Sequence, residues 1–145
     1  MSKTFNEKIK CPNCGNEQEQ IIYASINVEL DPELKEKLLH SEINFFKCVF
    51  CSKNTLIASD LLYHDPIKEF VIWFKPVGWT DKDTADYKRF KRVIGEDNYF
   101  VKPIIMKDFN DFIIMVICYD QNIYRPGTQE AAEQFLEQMR LTNKK

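Results

Sequence analysis

The chain has 145 residues, of which 44% are hydrophobic and 13% aromatic, and its formal net charge is −2. This length suits one compact domain, and the apolar content supplies a real core, which excludes extensive disorder. The near balance of 20 basic against 22 acidic side chains argues against a nucleic-acid binder that works by overall charge.

The sequence also bears on the compartment. Residues 1–8 lack the apolar core of a secretory signal, and the longest apolar run, residues 112–119, is far shorter than a membrane span. We therefore expect a cytoplasmic protein with no membrane partner. In that reducing compartment the five cysteines are expected to be metal ligands or buried thiols rather than disulfides.

The first part of the chain predicts a strand–helix–strand segment. Apolar and polar side chains alternate over residues 22–30, the period of a strand with one buried face. Residues 31–33, Asp-Pro-Glu, suit the start of a short helix, to which Leu34 and Leu38 give one apolar stripe. Residues 43–47 predict the strand that follows.

Two further strands are predicted over residues 55–63 and 68–75, and the His-Asp-Pro turn at residues 64–66 joins them as a hairpin. A proline and a glycine then interrupt the chain, so we place a division near residue 78. It separates a metal-bearing, β-rich region, residues 1–78, from an α+β region, residues 79–145. We expect the second region to pack on the first as one compact unit.

The second region is more helical. Residues 80–83 offer helix-start chemistry, and Gly95 ends the helix. The side chains on one face of this helix are Tyr87, Phe90, Val93 and Ile94. Residues 99–106 predict an edge strand, because Pro103 cannot donate a backbone hydrogen bond.

The last two elements follow from short signals. Residues 112–119 are apolar all round, so β-branched residues that favour a strand compete with caps at Asp108 and Asn110 that favour a helix. The choice between strand and helix stays open there. Thr128 is expected to cap a final helix.

Four cysteines in two Cys-x-x-Cys pairs carry the strongest chemical signal. They are Cys11, Cys14, Cys48 and Cys51. Four thiolates are the ligand set of a tetrahedral zinc site, and each two-residue gap lets both sulfurs of a pair reach one ion. Gly15 suits the positive φ of the turn after the first pair. Ser52 holds the equivalent place after the second pair, so we expect that turn to be reached differently, through Asn54.

Structural Zn²⁺ is therefore the leading hypothesis, and three alternatives stay open. A rubredoxin-like iron site uses the same four ligands. A thiol–disulfide protein would use Cys-Pro-Asn-Cys at residues 11–14, although Gly15 breaks the helix that such a motif needs. The two pairs can also remain independent and free of metal. Since four thiolates leave no position for a water molecule, metal-assisted hydrolysis is not expected, and no catalytic residue is assigned.

The other candidate residues have structural interpretations. We interpret Cys118 as a buried thiol, His64 as a turn residue, and the tryptophans Trp73 and Trp79 as core or boundary aromatics. A basic cluster on the helix after residue 80 is interpreted as its solvated face, with contact to nucleic acid or an acidic partner as the alternative. It consists of Lys88, Arg89, Lys91 and Arg92.

The order of these pieces resembles the CpXC family, a set of uncharacterised bacterial and archaeal proteins. The matching stretches are Cys-Pro-Asn-Cys-Gly at 11–15, Ser-Ile-Asn-Val at 25–28, Asp-Pro-Glu-Leu at 31–34, Lys-Cys-Val-Phe-Cys at 47–51 and Leu-Tyr-His-Asp-Pro at 62–66. The resemblance covers residues 11–75 and fades in the second half. The resemblance implies that the paired cysteines bind metal. The second pair of this chain departs from the usual family form at Val49 and Ser52. The family brings no established activity.

The resulting expectation is an α+β protein: a zinc-ribbon-like antiparallel β region with an inserted strand–helix–strand, followed by a more helical C-terminal half. The expected function is that of a small cytoplasmic zinc-binding protein with a structural four-cysteine site, a protein-interaction or regulatory module whose expected partner is another protein. The alternatives are a nucleic-acid-associated zinc ribbon and a redox protein. The sequence favours a protein that is not an enzyme, although side chains that converge only in the fold escape this reasoning.

Overall fold

A computed structural model describes residues 2–95, 103–126 and 128–143. Its strands are β1 (Lys3–Lys10), β2 (Glu17–Asn27), β3 (Phe45–Lys47), β4 (Asn54–Leu56), β5 (Leu61–Asp65), β6 (Phe70–Phe74) and β7 (Ile104–Met106). Its helices are α1 (Glu33–Leu39), α2 (Asp81–Ile94), α3 (Phe109–Asp120) and α4 (Gln129–Asn143). The predicted α+β class is confirmed, since the helices concentrate in the C-terminal half of the described residues.

Two sheets organise these strands. The larger has the order β1-β2-β5-β6-β7, and the smaller is the antiparallel pair β3-β4. Within the larger sheet, β1/β2 and β5/β6 are antiparallel, whereas β2/β5 and β6/β7 are parallel. The β3–β4 pair lies in the connection from β2 to β5, so it is inserted in the crossover between two parallel neighbours.

The segment between the cysteine pairs follows the predicted strand–helix–strand order. In α1, Leu34 and Leu38 are buried as expected from their spacing. The preceding strand, β2, begins at Glu17 rather than near residue 22, because β1 pairs with its whole first half. Sequence reasoning missed β1, whose residues are exposed except for the half-buried Ile9. Such a strand is stabilised by its backbone ladder and carries little hydrophobic signal.

The strand predicted over residues 55–63 is two strands, β4 and β5, and the single-strand prediction is wrong. Residues 57–60 turn the chain from the small sheet to the large one, and the backbone N–H of Ile57 donates to the carbonyl of Asn44 at 2.8 Å. The predicted hairpin between β5 and β6 is present, with Tyr63 opposite Ile72. Its turn, however, is residues 66–69 rather than 64–66, so His64 is a strand residue paired with Val71 and its assignment to the turn is wrong.

Residues 112–119 form part of a helix. The Asp108 carboxylate accepts the backbone N–H of Asp111 at 3.0 Å and caps α3. The buried residues of α3 are Phe112, Met115, Val116, Cys118 and Tyr119. These side chains join a core cluster with residues of β5, β6 and β7. Burial against the sheet thus selects helix where composition alone left both structures open.

The two remaining helices begin where the caps predict. The Thr80 hydroxyl accepts the backbone N–H of Asp83, whose carboxylate accepts the N–H of Thr80, so α2 begins with a capping box. Thr128 caps α4 by accepting the N–H of Ala131 at 3.1 Å. The apolar face of α2 does not enter the core, since none of its residues is buried.

The predicted edge strand is present in its described part. Strand β7 lies at the edge of the five-stranded sheet, beside β6; residues 99–102 of that prediction lie outside the described residues. The main core draws on both sides of residue 78, including Ile72 of β6, Met106 of β7, Phe112 of α3 and Ala132 of α4. Among the described helices, none combines the length and apolar character needed to cross a membrane.

Candidate metal centre

Each cysteine pair lies in a short turn between two antiparallel strands. The first knuckle, residues 11–16, joins β1 to β2, and the second knuckle, residues 48–53, joins β3 to β4. In the first knuckle, the N–H of Gly15 donates to the carbonyl of Cys11 at 2.9 Å. The N–H of Cys11 donates in turn to the carbonyl of Asn16 at 2.8 Å. This pair of bonds closes a tight loop with both cysteine side chains on it.

The second knuckle repeats the pattern. The N–H of Ser52 donates to the carbonyl of Cys48, and the N–H of Cys48 donates to the carbonyl of Lys53, both at 2.9 Å. Ser52 has a φ of 64° and Gly15 a φ of 79°, so both take the left-handed conformation. The prediction that the second turn is reached differently, through Asn54, is therefore wrong: Ser52 itself adopts the conformation usually given to glycine.

Gln18 links β2 to the second knuckle. Its side-chain amide donates to the carbonyl of Lys47 at 3.0 Å, and its side-chain oxygen accepts the N–H of Val49 at 3.0 Å. A residue of β2 thereby clamps the backbone that leads into the second knuckle. Sequence reasoning missed this role, because a single glutamine in an exposed strand carries no signal of a contact 29 residues away.

The four cysteine sulfurs converge. All lie within 4.8 Å of one another. The Sγ atoms of Cys11 and Cys51 are 3.6 Å apart, and those of Cys14 and Cys48 are 3.5 Å apart. Sulfurs at the corners of a tetrahedron around zinc, with Zn–S near 2.3 Å, are about 3.8 Å apart. The donor set and its spacing fit one tetrahedral metal ion.

Side-chain amides donate to the two less buried sulfurs, those of Cys14 and Cys51. The side-chain amide of Asn13 donates to Cys51 Sγ at 3.5 Å, and that of Asn16 donates to Cys14 Sγ at 3.3 Å. The Asn13 amide, aided by the backbone N–H of Lys53, lowers the pKa of Cys51 to about 6. The pKa of Cys14 is also lowered, chiefly by the backbone N–H of Asn16. These donors stabilise thiolate, the form that binds metal.

The other two cysteines, Cys11 and Cys48, are buried. Burial raises the pKa of Cys48 to about 11. Cys11 and Cys48 are both buried and pack with Phe46 in a cluster separate from the main core. A buried thiolate needs a compensating cation, and a bound metal ion would supply that charge.

The surroundings of the cluster combine charge and apolar surface. The lysines that flank the knuckles, Lys8, Lys10, Lys47 and Lys53, are all exposed. At the tip of the second knuckle, Val49 is 73% exposed and Phe50 is 63% exposed. The tip therefore presents an apolar pair beside lysines that offset the negative charge of four thiolates.

The other predicted residues lie elsewhere. On α2, three members of the basic cluster are exposed, Lys88, Arg89 and Arg92, and Lys91 is half-buried. The basic cluster and the four cysteines therefore lie on different elements. Cys118 is buried in α3 and its pKa is raised by burial, which agrees with a structural thiol.

The fold and the cluster together define a mixed α+β protein with a four-cysteine centre that can hold a metal ion. A family model described as CpXC protein matches residues 9–118. The chain therefore belongs to the CpXC family. The match includes both knuckles and continues through α3 almost to its end, beyond residue 75, where the resemblance was expected to fade. Searches of the curated proteins and of the solved structures found no match.

Proposed function

We propose that this protein binds one structural Zn²⁺ and acts as a protein-interaction or regulatory module in the cytoplasm. The proposed ligands are Cys11, Cys14, Cys48 and Cys51. The observation that carries the proposal is the convergence of four sulfurs within 4.8 Å from two knuckles with the same backbone hydrogen bonds. Such a closed set of four thiolates is typical of structural zinc, since it leaves no position for substrate or water.

The geometry disfavours thiol–disulfide exchange. Reactive Cys-x-x-Cys motifs use a helix N-terminus to stabilise the thiolate, whereas both knuckles connect strands. The four sulfurs also form one cluster, with contacts of 3.5 and 3.6 Å between the two pairs, rather than two separate dithiols. A rubredoxin-like iron site has the same four ligands, so the identity of the bound metal must be measured to distinguish iron from zinc.

The interaction role rests on the second knuckle. Its tip holds Val49 and Phe50 at the surface. Adjacent large apolar side chains that are exposed to solvent are typical of protein contact surfaces. Metal binding would fix the loop that carries them. The proposed role of the zinc is thus to hold a small apolar contact in one conformation and lower the entropy lost on binding a partner protein.

Metal content tests the metal assignment. Elemental mass spectrometry of untagged, natively purified protein, with a thiol count in denaturant, is expected to give one zinc and five free thiols per chain. Cys14→Ser and Cys48→Ser are expected to lose the zinc, whereas Cys118→Ser, outside the cluster, keeps it. One iron per chain would instead indicate an electron carrier. Absence of metal together with disulfides would overturn the proposal.

A matched pair of surface variants tests the interaction role. Phe50→Ser removes the apolar tip, and Val77→Ser removes another side chain that is 80% exposed on a different loop. A partner captured from a lysate of the native cells by wild type and Val77→Ser, but not by Phe50→Ser at equal zinc content, supports the role. Equal capture by all three proteins would place the contact elsewhere.

The basic cluster on α2 supports a second candidate, contact with nucleic acid. Lys88, Lys91 and Arg92 line one shallow depression of about 500 Å³ beside Gly95. Phosphate contact predicts a salt-sensitive mobility shift with RNA or DNA that is lost in Lys91→Glu/Arg92→Glu. Lys3→Glu/Lys37→Glu, with the same charge change at exposed positions away from α2 and the knuckles, is the control. Salt-insensitive capture of a protein would favour the first candidate.

A further inference from the structure

Besides the metal centre, the protein has a cavity whose lining residues are distant in sequence from the four cysteines. It lies between α2 and the end of β6 and has a volume of about 240 Å³. Four of its lining side chains are aromatic, namely Trp73, Trp79, Tyr87 and Phe90, and two others are the carboxylates of Asp83 and Asp86. We propose that this aromatic cavity binds a methylated ammonium cation.

The cavity wall is held in place by the protein's own contacts. The indole N–H of Trp79 donates to the hydroxyl of Thr84 at 2.9 Å. The same indole meets the ring of Tyr87 edge to face, with centroids 6.0 Å apart. Trp79 is therefore oriented by the first turns of α2 before any ligand arrives, which lowers the ordering cost of binding.

A resident ammonium shows the electrostatic character of the rings. The Nζ of Lys75 lies 4.5 Å from the ring centroid of Trp73 and 5.7 Å from that of Trp79. Lys75 is only 3% exposed, and its Nζ is 3.0 Å from carboxylate oxygens of both Asp60 and Asp83. The indole faces thus lie in range of a desolvated ammonium, where cation–π attraction is strongest.

Lys75 does not neutralise the site. Among the described side chains that line the cavity, the two carboxylates of Asp83 and Asp86 oppose the single ammonium of Lys75, so negative charge is in excess by one. Asp60, whose carboxylate is 3.0 Å from the Lys75 Nζ, adds to this excess. Asp86 is exposed and forms no ion pair within the described part of the chain. A second cation at the cavity would therefore be attracted by both the carboxylate and the rings.

The lining favours a methylated cation over a bare ammonium. A trimethylammonium group donates no N–H, so it needs no acceptor inside the cavity and loses little hydration on entry. Its methyl groups are apolar and carry part of the positive charge, so they pack favourably against the faces of aromatic rings. The same headgroup occurs on methylated lysine side chains of proteins and on free choline-like molecules, and the experiment separates these sources. In the alternative structural interpretation, the cavity only anchors α2 through Lys75 and binds nothing.

Tryptophan fluorescence tests the proposal directly, because the chain has two tryptophans and both line the cavity. Titration with choline, and with a peptide carrying trimethyllysine, is expected to give a saturable change in emission. The neutral isostere of choline, 3,3-dimethyl-1-butanol, is expected to bind about tenfold more weakly, since it lacks the charge. Tighter binding of the peptide than of choline would identify a protein source, and the reverse a small molecule.

Two matched variants complete the test. Asp86→Asn is expected to weaken choline binding about threefold to tenfold. Asp81→Asn removes the same charge from the same helix outside the cavity lining and is expected to leave binding unchanged. Circular dichroism and zinc content establish that both variants are folded. Absence of a saturable change at tens of millimolar choline, equal binding of the neutral isostere, or equal effects of the two variants would overturn the proposal.

Discussion

Gly15 and Ser52 occupy equivalent places in the two knuckles, yet only glycine reaches a positive φ without steric cost. For a residue with a Cβ the left-handed region costs about 1–2 kcal/mol. Ser52 therefore holds a conformation that its own side chain opposes, and the closing hydrogen bonds of the knuckle compensate for it. The backbone strain at Ser52, which Gly15 lacks, can therefore be measured through its effect on the free energy of unfolding.

Substitutions at these positions are expected to act in opposite directions. Gly15→Ala should lower the free energy of unfolding by about 1–2 kcal/mol, because it places a Cβ at a φ of 79°. Ser52→Gly should raise it by up to about 1 kcal/mol, since relief of strain exceeds the added entropy of the unfolded chain. Urea unfolding of the metal-loaded proteins measures both. A Ser52→Gly variant as unstable as Gly15→Ala would contradict this account of the second knuckle.

His64, at the end of β5, predicts a pH dependence of stability. Burial lowers its pKa below the usual 6.5, although the neighbouring charge of Asp65 opposes the shift. The unfolded chain therefore binds more protons than the folded chain as the pH falls below about 6.5. The contribution of neutral His64 to stability is present above that pH and is lost below it.

The measurement compares wild type with His64→Gln. The unfolding free energy of wild type relative to that of His64→Gln should decrease from pH 8 to pH 5.5, because only wild type has an imidazole here that binds a proton more readily in the unfolded chain than in the fold. Zinc content is checked at each pH, so that loss of metal is not mistaken for titration of His64. Parallel curves over that range would show that His64 does not contribute.

At the scale of elements, the metal centre has little apolar support. Among the described residues, the buried members of the cluster around it are Cys11, Phe46 and Cys48, with Ile9, Cys51 and Ile57 at its margin. A cluster of this size does not stabilise the β3–β4 hairpin and the knuckle end of the β1–β2 pair in water. Structural zinc, with an apparent binding free energy of about 10–16 kcal/mol, is sufficient to do so.

Removal of the metal should therefore loosen the knuckles before the core. Chelation, or Cys48→Ser, is expected to abolish hydrogen-exchange protection in β3 and β4 and in the adjoining ends of β1 and β2. Protection in β6 and α3 should persist, because these elements pack within the main core. Loss of protection at the same rate throughout the chain would show that the metal supports the whole fold cooperatively.

Helix α2 depends on its N-terminal polar contacts, because none of its side chains is buried. Asp83 belongs to the capping box and also pairs with Lys75 at 3.0 Å. Burial raises the pKa of Asp83, but its hydrogen bonds from Thr80 and Lys75 outweigh this, so the pKa lies below the usual range. The ionised carboxylate is thus the form that holds α2 to the sheet.

Asp83→Asn should lower stability by about 1–2 kcal/mol at pH 7, through a weaker cap and a buried ammonium left with one carboxylate. Asp81→Asn, at an exposed position one residue after the cap, is the control and should change stability by less than about 0.5 kcal/mol. Urea unfolding at pH 7 compares the two. Equal effects would mean that general charge, rather than the capping box and Lys75, stabilises the helix.

At the scale of the whole molecule, the core crosses the division near residue 78. Strand β7 pairs with β6, and α3 buries Phe112, Met115 and Val116 in the same cluster as Ile72 and Phe74. Without the second region, one face of β5 and β6 would lose its apolar cover. The two regions proposed from the sequence are therefore expected to fold as one cooperative unit.

A fragment of residues 1–78 tests this. It should retain a zinc stoichiometry near one, because all four cysteines are present, but it should lack a cooperative thermal transition and a dispersed amide NMR spectrum. The full chain, measured in parallel, should show both. A fragment with a dispersed spectrum and sharp unfolding would establish that the first region is an independent domain.

Several features could be predicted because their causes lie within a few residues. The ligand set depends on two short pairs, the starts of α2 and α4 depend on Thr80 and Thr128, and the β5–β6 hairpin depends on a proline-containing turn. Each involves a backbone group and a side chain close in sequence. Positive φ at Ser52 escaped prediction because only the closed knuckle imposes it.

What the sequence by itself determined is local: which residues can bind a metal, where helices begin, and which stretches alternate. The tertiary structure decided the rest. Strand β5 lies parallel to β2, Gln18 reaches Lys47, and α2 meets Trp73 across a cavity. These arrangements follow from burying apolar faces between elements far apart in sequence, and the free energy of that burial depends on all the elements at once. For the same reason, helix rather than strand forms at residues 112–119.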